Sequence, residues 1–249
     1  MIALVLGGAG FLAGLINAIA GGGSLVSFPA LLLTGMPAVN ANATNTLAVW
    51  PGSVSSAWAY RGHIGEERRR ALVLAVPALL GGLLGSWILL HTSEKAFRAV
   101  VPWLILFACG LLLAQTRVAK LIAAKRGPHE QHVPVGLWVV QFLVSVYGGY
   151  FGAGIGILML AAMGIFLPDA LQRANALKVL LAGLINGIAA VYFFGMGAAR
   201  LPEAALMAVC ALVGGWVGAH VAQRLPARVF RTVVVVYGVG VALKLLYDG

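Results

Sequence analysis

The chain has 249 residues, of which 61% are hydrophobic and 10% charged, with a formal net charge of +10. So few charges cannot coat a soluble globule of this size, for which about 25% would be usual, and the composition reads as an integral membrane protein. The positive charge does not signal nucleic acid, because most lysines and arginines sit in short links between apolar runs, where they report membrane orientation.

Apolar runs cover residues 2–20, 24–35, 40–60, 71–91 and 97–114 and, after a link bearing Arg117, Lys120, Lys125 and Arg126, residues 134–151, 155–167, 174–194, 203–223 and 229–246. Most approach the ~20 residues that a helix needs to cross a bilayer. The stretch before Ile2 carries no basic residue, so a cleaved signal peptide is not expected. Gly21-Gly22-Gly23-Ser24 breaks the first apolar stretch, and Gly152-Ala153-Gly154-Ile155-Gly156 breaks a second one. Backbone freed by such a break is tolerated in lipid only when it is buried in protein or faces a watery cavity. Paired breaks at corresponding places in two halves point to a transporter's substrate site.

The halves superpose. Phe11 matches Phe142, Gly21 matches Gly152, Gly23 matches Gly154 and Pro37 matches Pro168. After a two-residue insertion Asn42 matches Asn175, Gly62 matches Gly195, the Gly81-Gly82-x-x-Gly85 run matches Gly214-Gly215-x-x-Gly218, and Phe97-Arg98 matches Phe230-Arg231. This is an internal duplication. It divides the chain into a first transmembrane repeat (residues 1–114), a basic cytoplasmic link (115–133) and a second transmembrane repeat (134–249). The fold class is all-α, a polytopic transmembrane helical bundle of two homologous repeats, each with a Gly-broken helical segment.

Runs 24–35 and 155–167 are short for a full span at ~1.5 Å per residue. If they are return limbs of hairpins, each half crosses an odd number of times and the halves are inverted. If each broken run crosses once, the halves are parallel. The inverted arrangement puts the basic residues of 61–70 and 117–126 on the inner side together with Arg173, Arg224, Arg228 and Arg231, leaving Lys95, Arg98, Arg200 and Lys244 outside. The parallel one moves the four later arginines out and brings Arg200 and Lys244 in, which weakens the positive-inside bias. The charge pattern therefore favours inversion.

After each break the polar residues recur at helical spacing. Asn42, Asn45 and Ser53 share one face of a helix, and their counterparts Asn175, Lys178 and Asn186 share another. Such groups are costly in hydrocarbon, so the faces should turn toward the bundle interior or a cavity, although amides also serve as helix-to-helix glue. Lys178 is the charged residue set deepest within an apolar run, and it stands where the first half has neutral Asn45. It reads either as the counter-charge of an anion or as an ammonium that snorkels to the interface. Helices starting near Ser24 and Ile155 would aim N–H groups and a positive dipole end past the glycines, which suits an anion. The candidate substrate-binding residues are thus Gly21, Gly22, Gly23, Ser24, Asn42, Asn45, Ser53, Gly152, Gly154, Asn175, Lys178 and Asn186, with no catalytic residues and no metal ligands.

The pairs Gly81/Gly85 and Gly214/Gly218 are small-xxx-small motifs and read as helix contacts. The six tryptophans read as interface or packing residues. Cys109 and Cys210 occupy positions that do not correspond between halves and imply neither disulfide nor metal. Neither a hydrolase motif nor a nucleotide-binding loop is present, so the chain is not read as an enzyme and no cofactor is expected.

The opening Gly-Phe-Leu-Ala-Gly-Leu-Ile-Asn-Ala-Ile-Ala-Gly-Gly-Gly-Ser, the later Asn-Ala-Thr-Asn-Thr-Leu, and Tyr60-Arg61-Gly62-His63-Ile64 resemble the TauE/SafE sulfite exporter family. The resemblance runs through both repeats. It implies a bacterial inner-membrane, multi-pass secondary transporter of about eight spans that moves small sulfur-containing anions such as sulfite, sulfoacetate or other organosulfonates. The second repeat departs from the first, with Ala176-Leu177-Lys178 where the first has Ala43-Thr44-Asn45. The partners expected are a small anionic substrate and the lipid bilayer, with no nucleic acid; the oligomeric state stays open, a homodimer included. The rival readings are a permease for a carboxylate or a cation and a non-transporting membrane scaffold. A cation carrier would be expected to offer intramembrane carboxylates, and Asp169 and Glu203 at run edges are poor candidates.

Overall fold

The computed structural model describes residues 2–19, 22–59, 61–124, 132–167, 171–221 and 227–247. Among them the chain forms α1 (Ile2–Ile19), α2 (Ser24–Leu33), α3 (Ala38–Ala59), α4 (Arg61–Glu66), α5 (Arg68–His91), α6 (Glu94–Ala124), α7 (Val135–Tyr150), α8 (Ile155–Phe166), α9 (Leu171–Gly195), α10 (Leu201–Val221) and α11 (Ala227–Tyr247). No strand occurs among the described residues. Each apolar run has become one helix, and α4 is an addition on the polar stretch that follows α3. Helix α6 continues through residues 115–124 of the basic link, while 125–131 lie outside the described residues.

Among the described residues three helices are long and apolar enough by themselves to cross a membrane, over Arg68–His91, Glu94–Leu121 and Arg173–Gly195. The chain is a multi-pass integral membrane protein. Its outer surface is rich in large apolar side chains, among them Trp58, Trp87, Trp103 and Trp216, whose exposure to water would be costly and whose contact with lipid is not.

The two short helices turn back. A Cβ on Gly136, at the start of α7, would lie 2.6 Å from the Phe166 ring at the end of α8, and one on Gly148 would meet Ile155 at 3.2 Å. Both ends of α8 therefore touch both ends of α7, which makes the pair an antiparallel hairpin. In the first half Gly23 is packed on the Ala13 carbonyl and the Asn17 side chain so closely that no Cβ fits. In a continuous helix residues ten apart would be ~15 Å apart, so here too the chain reverses. Left-handed glycines make the reversals possible: Gly22 at φ +88°, Gly152 at +84° and Gly154 at +81°.

The halves interlock instead of lying side by side. Helix α1 packs on α10 of the other half and α7 packs on α5; α3 packs on both α9 and α10, and α9 on both α3 and α5. Exchanging the halves leaves this pattern unchanged. The equivalence extends to single residues. Gly81 of α5 sits against the Phe142 carbonyl of α7, and its counterpart Gly214 of α10 sits against the carbonyl of Phe11, the counterpart of Phe142. Gly81, Gly85 and Gly214 are helix contacts, as their spacing predicts.

Helices α3 and α9 run antiparallel through the centre. Asn40, at the start of α3, donates its Nδ2 to the Ala198 carbonyl just beyond the end of α9 at 2.7 Å, and Trp50 Nε1 donates to the Gly183 carbonyl at mid-helix at 3.2 Å. Past the far end of α3, Glu67 meets Arg173 in the first turn of α9 at 3.7 Å. Counterpart helices that run in opposite directions are what an inverted duplication requires. A parallel duplication would align them.

Candidate functional site at the two helix breaks

Both breaks converge on one level of α6. A Cβ on Gly22 would meet the Leu112 side chain at 3.3 Å, and one on Gly154 would meet the neighbouring Leu111 at 3.1 Å. Phe28 of α2 and Phe151 at the second break stack edge to face at 5.5 Å, which ties the first hairpin to the second. Phe28 is 1% and Phe151 4% exposed, so this contact lies inside the protein.

At the first break, the Gly23 N–H donates to Asn17 Oδ1 at 2.8 Å, which satisfies one of the amides that a helix start leaves without an intrahelical partner. Ser27, one turn into α2, donates its hydroxyl both to the Gly23 carbonyl at 3.2 Å and to Asn45 Oδ1 at 2.5 Å. Asn45 thus holds α3 against α2. Asn42 reaches across to the other half, donating Nδ2 to the Tyr150 carbonyl at 2.9 Å, at the C-terminal end of α7. Asn42 and Asn45 are 1% and 2% exposed, and Asn42 Oδ1 has no hydrogen-bond partner among the described residues.

At the second break, Tyr147 donates its hydroxyl to the Ala153 carbonyl at 2.7 Å, bracing the turn between α7 and α8. The stem of Lys178 lies along Gly156 in the first turn of α8, where a Cβ would meet Lys178 Cδ at 3.2 Å. Its ammonium donates to Asn175 Oδ1 at 3.1 Å. Asn186 faces the same turn, with Oδ1 3.8 Å from where a Cβ on Gly152 would be. An ammonium and the positive end of α8 therefore share one place in the interior of the bundle.

Most of the residues picked out in the sequence meet at the breaks, with differences in detail. Gly22, not Gly23, takes the left-handed conformation in the first half; Gly23 is right-handed, with φ −55°, and needs its missing side chain for the close contact with α1. Ser24 begins α2. Ser53 lies farther along α3 at the crossing with α9, where its carbonyl is 3.9 Å from a Cβ built on Gly183. Gly21 lies outside the described residues. Asn17, Ser27, Tyr147 and Gly156 contribute without having been picked out. Ser27 carried a signal, being four residues after Gly23 and so able to bond back to its carbonyl.

Two grooves, of about 370 Å³ and about 320 Å³, are lined by apolar side chains such as Val54, Leu79, Leu180 and Val191 in the first and Leu80, Leu84 and Tyr192 in the second. Neither groove takes in the glycine breaks or Lys178. Asn42 and Asn45 are buried between helices, whereas Asn175, Lys178 and Asn186 are half-buried. Among the described residues no cluster of histidine, cysteine, aspartate or glutamate could hold a metal ion.

The family model of the sulfite exporter TauE/SafE matches residues 6–245. The chain is 30% identical over 244 residues to a "probable membrane transporter protein" of Haemophilus influenzae, covering 96% of this chain and 92% of that one. It is 29% identical to a "probable membrane transporter protein" of a Sinorhizobium species, covering 96% and 90%, and 28% identical to another so named from Escherichia coli K12, covering 95% and 87%. No solved structure matches the chain.

Proposed function

We propose that this chain, which belongs to the sulfite exporter TauE/SafE family, is a secondary transporter of the bacterial inner membrane whose substrate is a small sulfur-containing anion such as sulfite, sulfoacetate or another organosulfonate. The observation that carries the reading is Lys178, whose stem lies along the first turn of α8 behind the left-handed Gly154. An anion placed there would meet an ammonium, the amides of a helix start and the Asn175 and Asn186 side chains. Each of these favours negative charge or supplies a hydrogen-bond donor.

The first half supplies the complementary part. Its amides hold both breaks in shape, Asn42 the second break from across the molecule and Asn45 the first through Ser27. We read the two halves as inverted repeats, a reading supported by the antiparallel α3 and α9, with the site between the breaks near mid-membrane. Inverted repeats around a central site allow one half to rock against the other and open each side in turn.

The test is a binding panel of sulfite, thiosulfate, sulfate and sulfoacetate on purified protein. Saturable binding of at least one of these anions, weakened in Lys178→Met, is the expected result. Binding of none of them, with a carboxylate or a metal cation bound instead, would move the reading to another solute.

A further inference from the structure

The duplication places the same i, i+3 ion pair at both ends of the central helices with its signs exchanged. Glu67 and Arg70 stand at the entry to α5, and their counterparts at the entry to α10 are Arg200 and Glu203. Glu67 and Arg200 each accept the first backbone bond of the helix that follows, from Ala71 at 2.8 Å and from Ala204 at 3.0 Å. At both ends this corner is gripped by the first turns of the central helix of the opposite half. Arg173 of α9 pairs with Glu67 at 3.7 Å. At the other end Asn40, the counterpart of Arg173, donates to the Ala198 carbonyl, and the Arg200 N–H donates to Thr44 Oγ1 at 3.0 Å.

The two grips differ in chemistry. Glu67 and Arg70 are 0% and 1% exposed with their ion pair at 3.3 Å, whereas Arg200 and Glu203 are 58% and 26% exposed and pair at 3.7 Å. One end is therefore closed by an ion pair between the halves, in which Glu67 is 0% and Arg173 33% exposed, and the other by neutral hydrogen bonds. Parting Arg173 from Glu67 takes a cation away from a fully buried carboxylate, whereas a surface pair gives up little.

We propose that Glu67 and Arg173 form the gate on the arginine-rich side of the transporter, and that parting them is the step that exposes the polar face of α9 to that side. The proposal rests on the transporter reading above. The gate sits where motion must occur, since Arg173 lies two residues into α9 and Lys178 follows five residues later on the same helix. A rocking of one half against the other separates Glu67 from Arg173 while the Glu67–Arg70 pair, which lies within one half, stays in place. Arg70 then stays as the partner of Glu67 in the open state, so the carboxylate is never left alone.

The experiment uses the full chain with Cys109 and Cys210 replaced by alanine and a reporter cysteine at Ala182, which shares the helix face of Asn175, Lys178 and Asn186 by spacing. Labelling by a membrane-impermeant maleimide is timed in sealed vesicles of both orientations. Arg173→Gln, which leaves the Glu67–Arg70 pair in place, should speed labelling from the arginine-rich side by roughly ten-fold, as loss of the ion pair that joins the halves implies. It should leave labelling from the opposite side unchanged or slower. Glu67→Arg combined with Arg70→Glu and Arg173→Glu, which exchanges every charge at this corner that pairs with position 67, should restore the slow rate. Equal labelling of the parent and Arg173→Gln would overturn the proposal, and so would faster labelling that the exchanged charges do not reverse. The readout needs no substrate, so failure to find a transported anion would defeat the functional reading while leaving this result standing.

Discussion

Lys178 is held by its neighbours on two sides, with its stem along Gly156 and its ammonium on Asn175, so its charge is fixed in place instead of sweeping a wide volume. A hydrogen bond to a charged group contributes about 1.5–3 kcal/mol. Lys178→Met should therefore weaken anion binding by roughly ten-fold to a hundred-fold, at ~1.4 kcal/mol per decade. Lys178→Arg should keep part of the affinity, because the charge survives in a different geometry. A Met variant that bound like the parent but unfolded at another temperature would make the lysine an interface residue. Ser27 gives a second test at this scale. Ser27→Val removes the donor to the buried Asn45 Oδ1, and an orphaned buried acceptor costs about 1–3 kcal/mol, so the melting temperature in detergent should fall while the Lys178 side of the site stays intact. The pairing of Asn175 with Lys178 was legible in the sequence because it depends only on helical period. Asn42 was legible as a buried amide, but its partner Tyr150 was not, since the two are 108 residues apart and meet only through the packing of α3 on the second hairpin.

The breaks act as elements. Left-handed Gly152 and Gly154 let the chain leave α7 and start α8 within four residues, and an L residue in that conformation costs roughly 1–2 kcal/mol. Gly154→Val adds a clash with Leu111, so transport should be lost even where the protein still inserts. Gly23→Val should have the same outcome for a different reason, the collision with the Ala13 carbonyl. If both variants transported normally, the site would lie elsewhere. Glycine in the helix contacts should fail in another way. Gly81→Val forces α5 off α7 at a backbone contact, which should lower thermal stability sharply before any effect on binding is measurable. Sequence alone placed the breaks and the short helices that follow them, because glycine runs in apolar stretches have few other uses. The direction in which α2 and α8 leave did not follow from the lengths of those runs, since a short apolar helix fits a hairpin and a continued crossing equally well; the distribution of arginine and lysine favoured the hairpins. The added helix α4 escaped notice because Arg61–Glu66 is polar and has no apolar period to mark it.

For the whole molecule, the antiparallel crossing of α3 and α9 adds to the charge pattern in favour of inverted halves. Arg70 and Arg173 meet on Glu67, so they belong to the same end of the bundle, as inversion requires and as parallel repeats forbid. The positive-inside bias predicts that this end faces the cytoplasm. A cysteine at Ile2 should then react with impermeant thiol reagents in intact cells, and shielding of that position would reverse the assignment. The duplication was legible because it lies in residue identities. The interlocking of the halves was not, because nothing in one half announces that its first helix packs against the fourth of the other. The central claim is movement of a small sulfur-containing anion through a site at the two breaks. Its most direct test is uptake of labelled sulfite, thiosulfate, sulfate and sulfoacetate by sealed proteoliposomes carrying the parent, Lys178→Met or Gly154→Val. Saturable uptake of at least one of these anions by the parent, reduced in Lys178→Met and absent in Gly154→Val, is the predicted result; uptake by the parent no faster than by protein-free vesicles for all four would contradict it.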